Sequence, residues 1–401
     1  MMAGPAPSAR DPRVDLLRGL ALLSIFVDHV PGNVLADFTV RNLGFSDAAE
    51  IFVLLAGFSA THAYGGVFDR QGTRAGLVRV LARCLRIYGT HVALLFATLI
   101  LVSLWERRYG THSTIVGPML RDGWSGAMRG LSLRALPAYL DILPLYILLL
   151  AAFPLIRFGL ARSTTATLGA SALLYGAANA MHWNLRNVVD PTDKAHWYFD
   201  PYTWQLVFVL GCGLAIAVRR HSPLMVSPPR PLVALCLAYA LGAFLVLDAW
   251  KLWPQPLPGE FYGTSPLLGI FGNEPKTFVS PWRLLNVLAI VYPVLTSARM
   301  TRVARLAALR PVVVCGRHSL PVFALGCVLA LLGRLIFLTA GVTVWAQLVV
   351  NGVGLGAMVA LGLLLEGRRA RRADRERLEL VRDAPHALAE GSLPSDGPAP
   401  A

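Results

Sequence analysis

The sequence predicts an all-α, polytopic integral membrane protein with about ten transmembrane helices. Three observations carry that expectation. The 401 residues are 55% hydrophobic and only 15% charged, with a mean hydropathy of +0.55, where a soluble chain carries about 25% charged residues. Apolar runs of spanning length recur along most of the chain. All but three of the 37 basic residues are arginine, and most stand in short segments between those runs. The net charge of +14 therefore reads as membrane topology signals rather than as a nucleic-acid surface.

Windows of about 19 residues, with roughly 17–25 needed per span, place the candidate helices in order. They fall at 15–31, 47–64, 84–105, 137–157, 164–182, 202–218, 231–250, 282–298, 318–338 and 343–366. The first and eighth are short or polar. The first also carries Arg18, Asp28 and His29 and lacks a small-residue cleavage site, so it reads as an uncleaved helix rather than a signal peptide. The organisation is then a cytoplasmic segment over 1–14, a transmembrane domain over 15–366, and a cytoplasmic, partly disordered tail over 367–401. That tail runs from EGRRARRADRERLELVR into PSDGPAPA. No fixed-period repeat is visible. Cys84, Cys212, Cys236, Cys315 and Cys327 are odd in number and lack a C-x-x-C pair, which predicts free thiols.

An even number of spans puts both termini on one face. That face then holds 25 basic residues against eleven on the other, with Arg334 inside a span. The asymmetry predicts cytoplasmic termini and places Asp28 and His29 near the outer boundary. All nine tryptophans fall on that outer side, whereas an aromatic belt populates both interfaces. Two readings stand: an aromatic face that stacks on sugar rings, with Trp197, Trp204 and Trp253 as candidates, or outer loops packed on their own small core.

Ionisable residues inside membrane segments are expensive and mark functional sites. In SIFVDHVPGN the first span ends on Asp28 and His29 before Pro31 and Gly32. Arg18 and His29 differ by only about 20° around the helix and by ~16 Å along it, so they share a face. Arg18 is either an interfacial anchor or part of a site, and His29 either a helix-end residue bonded to a loop carbonyl or a base. In FSDAAEIFVLLAGFSA, Asp47 and Glu50 fit a capping box at the height of His29, where a carboxylate could also orient an imidazole. Gly57, on the Glu50 face, permits a close helix approach. Asp141, in YLDILPLYILL, is a third acid at that level. On the inner side, Arg83 and Arg86 belong to an arginine patch that suits the phosphates of a cytosolic cofactor or merely reports topology. In GRHSLPVF, His318 stands at an inner helix start with Ser319 as the expected N-cap. There is no G-x-S-x-G, Walker loop, H-E-x-x-H, dinucleotide fingerprint or metal-ligand spacing.

The blocks DLLRGLALLSIFVDHVPGN, RNLGFSDAAEIFVLLAGFSA, YLDILPLYILL, WYFDPYTWQLVFVLG, PWRLLNVLAIVY and GRHSLPVF occur in order over most of 13–340. Together they resemble the OpgC family, related to acyltransferase-3 type membrane proteins. The resemblance implies an inner-membrane transferase that succinylates osmoregulated periplasmic glucans. It further implies succinyl-CoA as donor substrate and no bound cofactor, with the lipid bilayer as the setting and the periplasmic glucan as acceptor. It implies His29 as catalytic base with Asp28, Glu50, Asp47 and Asp141 as candidate partners. Arg18, Arg83, Arg86 and His318 are then candidates for holding the acyl-CoA. Two rival classes are a proton-coupled transporter or flippase of a polar solute, and a non-catalytic subunit of a glucan-export assembly. A carrier tends to show broken helices at mid-depth in two related halves, which this sequence does not.

Overall fold

The computed structural model describes residues 11–110, 116–189, 195–247 and 276–389. Its regular structure is helical, and among the described residues the only β pairing is an isolated bridge between Arg186 and His196. The principal helices are α1 (Pro12–Asp28), α2 (Ala48–Tyr109), α3 (Ile142–Arg162), α4 (Thr164–Met181), α5 (Pro201–Arg219) and α6 (Arg230–Leu247). They continue with α7 (Pro281–Thr296), α8 (Arg310–Arg317), α9 (Ser319–Ala340) and α10 (Val344–Ala389). Each apolar window of the sequence overlaps one of them, the second and third sharing α2. Five are long and apolar enough to cross a bilayer: α2, α3, α5, α9 and Val344–Arg375 of α10. The apolar stretches Arg230–Val246 and Pro281–Thr296 are shorter. Exposed leucines such as Leu85, Leu155, Leu173, Leu241 and Leu338 stud the helix exteriors, as a lipid-facing surface requires. The chain is a membrane protein.

Local chemistry explains the boundaries that matter for the site. Asp11 caps α1 by accepting the Arg13 backbone N–H at 2.9 Å, with Pro12 at the first helical position. The helix stops at Asp28, with His29 as its C-cap, and Pro31 follows closely, where it can supply no N–H to continue the ladder. The 62 residues of α2 contain both the second and third windows. They are broken at Gly72, whose φ of 85° and ψ of 172° lie outside helical space. Phe68 packs over Gly76 across that break.

Close backbone contacts set the bundle. In the α2–α5 crossing, a Cβ on Gly57 would sit 2.0 Å from the Phe208 carbonyl oxygen, and one on Gly211 would sit 1.9 Å from that of Leu54. The Cys212 thiol donates to the Gly57 carbonyl at 3.3 Å in the same seam. Where α1 meets α8, Gly19 abuts Val312 and Gly316 abuts Asp15 in the same way. Small residues are the general means by which membrane helices approach, because apolar burial alone provides little drive in lipid. The expected close approach at Gly57 is present, and its partner is α5.

Gly211→Ala should therefore destabilise the protein by about 1–3 kcal/mol through overpacking. Gly169→Ala, in open space on α4, should be neutral or gain up to ~1 kcal/mol of helix propensity. Thermal unfolding of both variants in one detergent checks the contrast; equal midpoints would refute the close-contact account.

Candidate active site

The end of α1, the start of α2, the start of α3 and the segment leading into α7 meet at one end of the bundle. Between them lies a cavity of about 1600 Å³. His29, Asp28, Asp47 and Asp141 all line it, as do Trp197, Lys276 and Arg283. Five of the predicted site residues, four at the ends of α1, α2 and α3 and Trp197 in the segment before α5, are thus brought to one surface.

Asp47 caps α2, with its Oδ1 accepting the Ala49 backbone N–H at 2.7 Å, and Glu50 Oε2 accepts the Asp47 N–H at 3.0 Å. The capping box expected from the sequence is formed. Glu50 is fully buried, and its Oε1 accepts from Arg283 Nε at 2.7 Å and pairs with Nη2 at 2.6 Å. Asp47 Oδ2 pairs with Lys276 and lies 3.6 Å from Arg283. The N-cap Asp47 and Glu50 at the start of α2, Lys276 on the approach to α7 and Arg283 in the first turn of α7 thus form one interlocked cluster. Burial alone would depress the Lys276 ammonium; Asp47 and Glu50 outweigh that and hold it above the ordinary lysine value. The Lys276 ammonium also lies 5.3 Å from the Phe199 ring centre and 5.8 Å from that of Tyr198. Its segment is pinned next door: the Thr277 carbonyl accepts from the Asp200 N–H at 3.2 Å and from Trp204 Nε1 at 3.1 Å.

The remaining acids are held differently. Asp28 Oδ1 accepts from the Thr39 hydroxyl at 2.7 Å. Asp141 occupies the N-cap position of α3 without a side-chain capping bond. The His29 ring packs against Tyr139, with centroids 4.6 Å apart. Tyr139 adopts a φ of 73°, and its hydroxyl accepts from Arg334 Nη1 of α9 at 2.9 Å.

Several expectations need correction. No carboxylate hydrogen-bonds His29 among the described residues, and its Nδ1 is buried without a hydrogen-bond partner there. Glu50, expected as an orienting acid, is instead occupied by Arg283 and by the backbone of its own cap. Trp204 presents no ring face to the cavity, being fully buried against Phe199 at 4.8 Å. Trp253 lies outside the described residues. Arg18 Nη2 donates to the Leu55 carbonyl of α2 at 3.0 Å. Ser319 does not cap α9; His318 occupies that position, without a capping bond. The His318 Nε2 is 2.8 Å from Glu366 Oε2, while Arg317 pairs with the same carboxylate and lies 3.5 Å from Asp15. Arg83 is half-buried and Arg86 exposed along α2.

Lys276, Arg283 and Tyr139 were not singled out by the sequence, and Arg334 was noted only as a charge inside a span. A signal was present for the first two, which are outer-side cations running against the inner bias of positive charge.

Breaking a buried charge cluster from one side leaves an uncompensated ion, which costs about 3–5 kcal/mol. Arg283→Met should destabilise by that order, and adding Glu50→Gln should recover part of the loss. A double-mutant cycle on thermal stability checks it, and strict additivity would exclude the coupling.

No curated protein sequence and no solved structure matches the chain. The profile of the OpgC protein family matches residues 10–370. The match runs from α1 into α10 and includes every cavity residue named above, so the chain belongs to the OpgC family.

Proposed function

We propose that the protein is a membrane O-acyltransferase that moves an acyl group, succinyl in the family expectation, from a cytosolic acyl-CoA to hydroxyls of a periplasmic glucan. The observation that carries this reading is His29 at the wall of a cavity shared with Asp28, Asp47 and Asp141. At about 1600 Å³ that cavity exceeds the roughly 300–1,000 Å³ usual for small-molecule sites, as an oligosaccharide acceptor requires.

The chemistry assigned to His29 is general-base catalysis. Its imidazole takes the proton of a glucan hydroxyl as the oxygen bonds to the thioester carbonyl carbon. The C–S bond then breaks, and the proton passes to the departing thiolate to give free CoA. Asp28 and Asp141 stand on the same wall and would stabilise the imidazolium electrostatically, taking the part that Glu50 cannot. The donor approaches from the opposite end of the bundle, where Arg83 and Arg86 supply phosphate-binding charge and His318 is held by Glu366. Both termini are cytoplasmic on this reading, in the inner membrane.

Two measurements test it. His29→Gln retains a polar side chain of similar reach but accepts no proton near neutrality. It should lower transfer from labelled acyl-CoA to glucan by at least ~10²-fold while the purified protein keeps its thermal midpoint. Near-normal turnover in that variant would end the assignment. Reporter fusions after Arg220 should read cytoplasmic and fusions near Pro191 periplasmic, and the reverse pattern would separate the cavity from its acceptor.

A further inference from the structure

Arg334 stands on α9, inside a predicted span. No carboxylate pairs with it among the described residues; its recorded partner is the Tyr139 hydroxyl, at 2.9 Å. Charged side chains in membrane segments are normally paired or face a functional path. An arginine held by a neutral phenol keeps most of its guanidinium donors uncommitted. Its Cζ lies 5.6 Å from the Tyr139 ring centre, and the His29 ring lies 4.6 Å from that same centre. The imidazole and guanidinium centres are therefore within about 10 Å of each other. Both residues line a small, mostly apolar pocket of about 20 Å³ that Tyr139, Thr98, Cys327 and Leu331 also line. This is space on the scale of one small polar group, too little for a sugar ring or a nucleotide. His29, Ala138 and Tyr139 also line the large cavity, so the two spaces adjoin at the base.

The geometry points to Arg334 as the residue that selects a dicarboxylic acyl donor, by binding the carboxylate at the far end of the acyl chain while the thioester lies beside His29. The inference rests on the acyl-transfer reading and adds to it the residue that chooses among donors. The two carbonyl carbons of an extended four-carbon dicarboxylic group are about 4 Å apart, the three-bond span also seen between trans Cα atoms. With a hydrogen bond to arginine at one end and an attacking hydroxyl between carbonyl and imidazole at the other, a bent arrangement of that length can be accommodated within the upper limit of about 10 Å on the His29–Arg334 separation. The small pocket has room for a polar end group while the rest of the acyl chain lies toward the adjoining large cavity, and the planar guanidinium suits a carboxylate. The Tyr139 hydroxyl holds one guanidinium nitrogen and the Tyr139 ring packs on the His29 ring, so donor choice and base position share one residue.

The test uses the full-length protein in detergent with two donors of equal chain length, succinyl-CoA and butyryl-CoA, and one glucan acceptor. The wild type should favour succinyl-CoA in kcat/KM by at least ~10-fold, the scale of one charge-assisted contact. Arg334→Met should remove that preference while transfer from butyryl-CoA persists. A wild type indifferent to the two donors overturns the inference while leaving acyl transfer standing, and it does so whether or not any variant folds. Parallel loss of both donors in folded Arg334→Met also overturns it, because the arginine would then serve structure or chemistry rather than selection. Absence of transfer from either donor in the wild type refutes the acyl-transfer reading itself, and the inference falls with it.

Discussion

The cluster of Asp47, Glu50, Lys276 and Arg283 is the interaction on which the cavity end of the molecule depends. It joins two parts of the chain more than two hundred residues apart. Its geometry is set by an ordinary local device, the capping box of α2, which presents two carboxylates on successive turns toward whatever packs there. Arg283 takes Glu50 with two guanidinium nitrogens, and Lys276 takes the remaining oxygen of Asp47. An isolated buried carboxylate at this depth would be strongly disfavoured. The start of α2 and the approach to α7 are therefore obliged to stay together. The Thr277 carbonyl extends the tie to α5 through Asp200 and Trp204, so the cavity wall bearing Lys276 is continuous with the α2–α5 seam.

That seam works by a different physical rule. In lipid, apolar side chains gain little from meeting each other, so contact is decided by how near two backbones can come. Gly57 and Gly211 remove the two Cβ atoms that would keep α2 and α5 apart, and Gly19 and Gly316 do the same for α1 and α8. The second pair has a consequence for the site. α1 carries His29 at its end, so the depth at which His29 stands depends on the register that Gly19 and Gly316 allow. At the other end of the bundle, Glu366 gathers Arg317 and His318, and Arg317 also reaches Asp15. Both ends of α1 are thus framed by charge clusters, one above His29 and one below Arg18.

Much of this was legible in the chain itself. Membrane character, helix positions, the Asp47–Glu50 capping box, the close approach at Gly57 and the joint placement of His29, Asp28, Asp47 and Asp141 follow from rules that act over short sequence distances. Apolar length, helical period, capping chemistry and the stop at Pro31 are all local. Family membership was legible too, because it rests on several short blocks in order. What was not legible is pairing. Glu50 looked like a partner for His29 because both stand at one height, but height along a helix says nothing about direction. In three dimensions Glu50 turns toward Arg283. Trp204 looked like an exposed platform because it lies at an outer helix end, yet its indole N–H is needed by Thr277 and its ring is sealed against Phe199.

The sequence alone determined which segments are helical and apolar and which ionisable residues stand near one end of the bundle, because composition and periodicity are properties of contiguous residues; of its ten expected spans, five are long and apolar enough to cross a bilayer among the described residues. Only the tertiary structure decided which charges neutralise one another, which side of His29 is covered by Tyr139, and that Arg334 reaches Tyr139 from another helix. Those outcomes depend on the rotation and depth of each helix against its neighbours. Rotation and depth are set by backbone contacts such as Gly57 with Phe208 and Gly316 with Asp15, between residues too far apart in the chain for any local pattern to relate them.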